Sequence, residues 1–146
     1  MSSFKAFDIA GSGMAAQTVR LNTTASNLAN ADSVSGDPAT VYKARHPVFE
    51  AVKATMAAQN GVAHGGTQGG PAVKVTGIYE STAPASARYE PGNPLADAKG
   101  YVYSPAVNVV EEMVNMISAS RSYQNNVEVM NTSKELLLAT LRLGQG

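Results

Sequence analysis

The sequence predicts an α+β chain: two long terminal helices of coiled-coil type packed together, with a small β-rich domain inserted between them. Three observations carry this. Apolar residues recur at sevenfold spacing near the amino terminus, a 4-3-4-3 apolar spacing runs through residues 109–141, and all seven prolines lie between the two, in residues 31–106. A chain of 146 residues suits one ordinary domain with at most a small subdomain.

The first element is a helix over residues 4–30. Phe7, Met14, Leu21 and Leu28 form its seam, and Phe4, Gly11, Thr18 and Ala25 form the flanking row. Two such rows make a narrow apolar stripe. The second row shrinks to small residues, which predicts close approach of a neighbouring helix at Gly11. The helix ends in "SNLANADS", where Asn27 and Asn30 stand three apart. Either these asparagines lie among other helices, or Asn30 caps the helix and Asn27 faces water. Asn also tolerates the left-handed conformation that closes many helices.

Residues 32–106 form the β-rich middle. "TVYKAR", "AVKVTGIYE" and "GYVYS" are β-type runs, bounded by the turn signals "GDP", "PGNP" and "DAKG". Residues 57–72 are Gly-rich and predict a flexible surface loop. The last element is a helix over residues 107–143. Its seam is Val109, Met113, Met116, Ser120, Tyr123, Val127, Met130, Lys134, Leu137 and Leu141, widened by Val110, Ile117 and Leu138. The chain thus divides at 1–31, 32–106 and 107–146.

Both helices are weak alone. Ten of the 27 residues at 4–30 are Gly, Ser, Thr or Asn, and eleven of the 37 at 107–143 are Ser, Thr or Asn. Each costs ~0.5–1 kcal/mol relative to Ala in a helix interior. Such a composition suits faces covered by other helices, where small polar residues fix register. The expected assembly interface is therefore Phe4, Phe7, Met14, Leu21, Asn27, Leu28, Asn30, Val109, Met113, Met116, Tyr123, Val127, Met130, Leu137 and Leu141.

Composition excludes several functions. Net charge is zero and the eleven Lys and Arg residues are scattered, which argues against a nucleic-acid binder. The absence of cysteine excludes disulfides, zinc–thiolate sites and thiol catalysis. No run approaches the ~18–20 apolar residues of a transmembrane segment. No cleavable signal peptide is visible, because Asp8, Ser12 and Gly13 interrupt any apolar stretch after Lys5. No enzyme constellation is found. His46 and His64 are far apart, and His46 with Glu50 is a poor metal pair. Glu111 and Glu112 diverge by ~100° on a helix and cannot flank one bond. "GSG" at 11–13 lacks a preceding strand, so it is no nucleotide cradle. No catalytic residue, metal or cofactor is expected.

The stretches "FDIAGSGMAAQTVRLNTTASNLANADSVSG", "YEPGNPLADAKGYVY" and "NVVEEMVNMISASRSYQNNVEVMNTSKELLLATLRLGQG" resemble flagellar basal-body rod proteins of the FlgC type, a proximal-rod branch of the flagellar axial rod and hook family. The resemblance covers about residues 3–48 and 73–146. It implies a non-enzymatic subunit whose terminal helices form an inner layer around the export channel, with the middle segment outside. It also implies a location in the rod crossing the periplasm, and export through the flagellar type III apparatus without signal cleavage. The implied partners are copies of itself, rod proteins of the FlgB, FlgF and FlgG types and the adaptor FliE. Two alternatives stand beside this reading: a sibling rod subunit of the FlgB type, and a monomeric, helix-clasped secreted adaptor.

Overall fold

Two long helices, α1 (Ser3–Ala29) and α2 (Val109–Leu143), run antiparallel in the computed structural model, which describes residues 3–52 and 72–144. Their direction follows from two contacts. Arg20 Nη2 donates to Asn115 Oδ1 at 2.9 Å, while Gly13 lies against Asn126. Ten residues of α1 precede Gly13 and seventeen of α2 follow Asn126. Helix α2 therefore runs on past the start of α1 by about seven residues, ~10 Å. Leu136, Leu138, Leu141 and Leu143 are exposed on or beside this overhang, Leu143 at 82%.

Helix α2 starts where its capping chemistry directs. Asn108 accepts from the backbone N–H groups of Val110 at 3.1 Å and Glu111 at 3.3 Å. Glu111 and Glu112 then put negative charge in the first turn, where the helix dipole favours it. Helix α1 closes differently from the left-handed ending considered above. Among the described residues only Gly100 has a positive φ, at 81°. Asn30 instead gives the Ser26 carbonyl two donors, its backbone N–H at 3.2 Å and its side-chain amide at 2.8 Å.

Strands β1 (Arg45–Val52) and β2 (Ala72–Glu80) pair antiparallel. Pairing shifts after Val48, leaving Thr76 as the extra residue of a bulge, with its hydroxyl 3.3 Å from the Val48 carbonyl. The expected strand "TVYKAR" contributes only Arg45. Thr40 is held in a turn by Asp37, through the Thr40 N–H to the Asp37 carbonyl at 3.1 Å. Val41 and Ala44 are buried as irregular chain. The strand lies further on, across Pro47. Proline is tolerated there because it shares parity with Arg45, whose N–H and C=O turn away from β2. The expected strand at 72–80 forms as read, and "GYVYS" becomes β4 (Tyr101–Ser104), paired with an unanticipated β3 (Ser86–Tyr89). Apart from Ala72, the expected loop at 57–72 lies outside the described residues.

The second sheet gains a partner from the chain leaving α1. Ser35 and Tyr103 exchange two backbone hydrogen bonds, 2.9 and 2.8 Å long. Gly36 permits this approach, since a Cβ there would stand 2.6 Å from the Leu95 carbonyl oxygen. Asp97 ties the loop between β3 and β4. Its Oδ1 accepts from the N–H groups of Lys99 and Tyr101, both at 2.8 Å. The bond from Tyr101 N–H leads the causes that hold the Asp97 carboxyl below its ordinary range. The buried apolar residues are small: Ala10, Ala16, Val41, Ala44, Val102 and Ala119.

Candidate assembly interface

The contact between α1 and α2 is made by small and polar side chains. On α1 the enclosed residues are Ala10, Ala16, Thr23, Thr24 and Asn27; on α2 they are Glu112 and Ala119. Gly13 marks a close approach, because a Cβ there would stand 2.8 Å from Asn126 Nδ2. Helical geometry makes these polar groups tolerable. The Thr23 hydroxyl donates back to the Arg20 carbonyl at 2.9 Å, and Arg20 reaches Asn115 across the pair. Among the described residues, two buried oxygens, Gln17 Oε1 and Glu112 Oε2, find no hydrogen-bond partner.

Within the chain, the close approach expected at Gly11 falls at Gly13 instead. Among the described residues, nothing lies within 4 Å of a Cβ at Gly11. Two residues amount to ~200° around a helix, so the two glycines face opposite ways.

The same offset runs along both helices. Gly13, Arg20 and Asn27 each sit one residue before the apolar seam residues Met14, Leu21 and Leu28. Glu112, Asn115, Ala119 and Asn126 each sit one residue before Met113, Met116, Ser120 and Val127. One residue is ~100° of rotation. The helices therefore pack on the small polar stripe and turn the apolar seam to the flank.

The expected interface residues are distributed accordingly. Phe7, Met14, Leu21, Leu28, Met116, Val127, Met130 and Leu137 are half-buried beside the helix contact. Val109, Met113, Tyr123 and Leu141 are exposed. Further round α2, Val110 is 70% exposed and Val114 61%, with Ile117 on the same side. Asn27 is wholly enclosed within the chain and Asn30 is half-buried in its helix-closing bond. The Phe4 side chain lies outside the described residues.

The hairpin of β1 and β2 lies along α1 and is tied to it at two points. Near the end of α1, Asn27 holds Arg45; near its middle, the Ser12 hydroxyl accepts from the Val73 N–H at 3.1 Å. The ties are ~22 Å apart along the helix, close to the ~20 Å of strand from Arg45 to Ala51, the residue opposite Val73. Val48, Phe49, Val52, Ile78 and Tyr79 remain exposed on this hairpin.

Sequence reasoning missed Gly13, Ser12, Arg20, Asn115 and Asn126. The available signal was the repeat of small or polar residues one place before each seam residue. Among the described residues, no group of three His, Asp or Glu side chains is arranged to hold a metal, and no helix is long and apolar enough to cross a membrane. His46 stands against the Tyr79 ring with centroids 5.4 Å apart.

Comparison with known proteins adds an independent line. Residues 7–36 match the family described as "Flagella basal body rod protein", and residues 98–143 match "Flagellar basal body rod FlgEFG protein C-terminal". Over 145 residues, 99% of this chain and 100% of each relative, the chain is 55% identical to proteins named flagellar basal-body rod protein FlgC from Escherichia coli O6:H1 and Salmonella typhimurium. The protein of that name from Buchnera aphidicola subsp. Acyrthosiphon pisum is 39% identical over the same span.

Proposed function

Because the chain belongs to the FlgC family of flagellar basal-body rod proteins, we propose that it is a structural subunit of the rod, assembled through the apolar flanks of its helix pair and supporting swimming motility. One observation carries the mechanism: the two helices spend their small polar stripe on each other and leave the apolar seam beside it uncovered or half-covered. Burying that seam against a neighbour stabilises by ~25 cal/mol per Å2 of apolar surface removed from water. Within the lone chain the seam is at most half-buried, and the fully buried apolar residues described are alanine and valine.

Membership of that family supports a finer proposal. The subunit occupies the proximal rod around the export channel, with its middle segment outward. It meets copies of itself, rod proteins of the FlgB, FlgF and FlgG types and the adaptor FliE. It reaches that place, where the rod crosses the periplasm, through the flagellar type III apparatus without a cleaved signal. The FlgC type is favoured over the FlgB sibling because relatives of that name align from end to end.

The absence of cysteine permits a direct test. Single cysteines at Val114 and Ile117, on the outward face of α2, each labelled with a maleimide–benzophenone photo-cross-linker, are expected to capture a neighbouring subunit on irradiation of isolated basal bodies. A cysteine replacing Ala119, which has no exposure, is expected not to. Cross-linking at none of the outward positions, in strains that still swim, would refute the flank-packing mechanism.

A further inference from the structure

Asn27 is a polar side chain with 0% exposure. Its carboxamide meets the backbone of Arg45 edge-on. Oδ1 accepts from the Arg45 N–H at 2.8 Å, and Nδ2 donates to the Arg45 carbonyl at 3.0 Å. A strand laid beside β1 would offer the same donor and acceptor. Here a helix supplies them from one side chain. The Tyr42 hydroxyl donates to the same Oδ1 at 2.8 Å and lies 3.1 Å from Ser26 Oγ, so both lone pairs of Oδ1 are used.

We propose that Asn27 is a latch that stands in for a third strand at the outer edge of β1, positioning the hairpin on the helix pair, and that it closes only with a neutral headgroup bearing one donor and one acceptor. A two-stranded hairpin is marginal by itself. This one exposes apolar side chains along both strands and hydrogen-bonds to α1 through Asn27 and Ser12. The Asn27 tie is enclosed and doubly bonded; the Ser12 tie is exposed and single.

The headgroup requirement separates a hydrogen-bond latch from mere filling of space. In Asn27→Asp, the ionised carboxylate has no donor for the Arg45 carbonyl, whereas the protonated acid restores one donor and one acceptor. Burial favours that neutral acid. Asn27→Leu keeps the number of side-chain heavy atoms, is bulkier, and has neither group. Ionisable groups on the surrounding elements are Tyr42, Arg45 and His46 on the strand side, Glu80 opposite Arg45, and Arg20 and Glu112 on the helices. They are common to all variants, so Asn27→Leu followed over the same pH range is the reference for any contribution of theirs.

The test is backbone amide exchange in the full chain, followed by NMR from about pH 7.5 to pH 5 and corrected for intrinsic rates. The native protein is expected to protect the Arg45 amide throughout. Asn27→Leu loses that protection at every pH. Asn27→Asp loses it near pH 7.5 and regains tenfold or more towards pH 5. Ser12→Ala exposes the Val73 amide and leaves Arg45 protected. If Asn27→Asp does not fold at neutral pH, recovery of its helical circular dichroism on acidification reads the same requirement. Native-like protection of Asn27→Asp at pH 7.5, or no acid rescue relative to Asn27→Leu, overturns the latch. Neither result touches the rod assignment, because the readout is made on the isolated chain.

Discussion

Bulk placed at Gly11 and at Gly13 should have opposite effects on the isolated chain. Gly→Leu in a helix interior gains ~0.8 kcal/mol from propensity and reduced backbone freedom. At Gly13 that gain is opposed, because the new Cβ would stand 2.8 Å from Asn126 Nδ2 and 3.1 Å from Cγ and Oδ1. The Asn126 amide can swing aside for a methyl, so Gly13→Ala should be close to neutral. Leucine reaches further, and overpacking costs ~1–3 kcal/mol. Gly13→Leu should therefore destabilise by up to about 2 kcal/mol. At Gly11 no described residue lies within 4 Å of the new Cβ, so Gly11→Leu should stabilise by roughly 0.8 kcal/mol. For a chain of this size, ~2–4 °C per kcal/mol turns this into a fall of several degrees against a small rise. Urea and thermal melts of the purified monomer, followed by helical circular dichroism, measure both. A loss at Gly11→Leu equal to that at Gly13→Leu would refute the crossing at Gly13 and with it the offset between polar stripe and apolar seam.

Three further outcomes are expected. Ile117→Ala removes a side chain already 53% exposed, so the monomer should lose only ~1 kcal/mol while rod assembly and swimming fail; a large fall in monomer melting temperature with normal swimming would contradict this. The depressed Asp97 carboxyl contributes stability that is present above the ordinary carboxylate range and lost as pH falls through its lowered folded value; melts taken down to about pH 3 should show that acid loss in the native chain and less of it in Asp97→Ala. The exposed Arg45–Glu80 pair, 3.2 Å apart, should be worth no more than ~0.5 kcal/mol, so Glu80→Gln should leave the melt within about 2 °C.

How much of this was legible follows residue by residue. Sevenfold spacing placed both long helices to within two residues, because the period of an apolar stripe is a property of the chain alone. The face each helix turns to the other was not legible, because Met14, Leu21 and Leu28 outweigh Gly13, Arg20 and Asn27 in any apolar pattern. A seam marks which surface prefers cover; it does not say whether the cover comes from the same chain. Strand β1 escaped because Thr40–Ala44 have β-type side chains, yet Asp37 closes a turn on Thr40 and leaves the ladder to begin at Arg45. Asn27 was noticed for its spacing, but its partner lies 18 residues away, and only the folded chain brings Arg45 to it.

The leucine-lined overhang of α2 gives the molecule two unlike poles. At one pole a ledge projects ~10 Å beyond α1. At the other the helices finish nearly level, with nine residues of α1 after Arg20 and six of α2 before Asn115. A ledge covered by the same ledge of a second copy would make a two-fold contact and stop at a dimer. A ledge covered by a different surface of the next subunit makes a head-to-tail contact, which repeats without closing. Under the head-to-tail arrangement the ledge would carry no information about length: a substitution there should change whether the polymer forms, and the number of copies would be set by whatever the first and last of them meet.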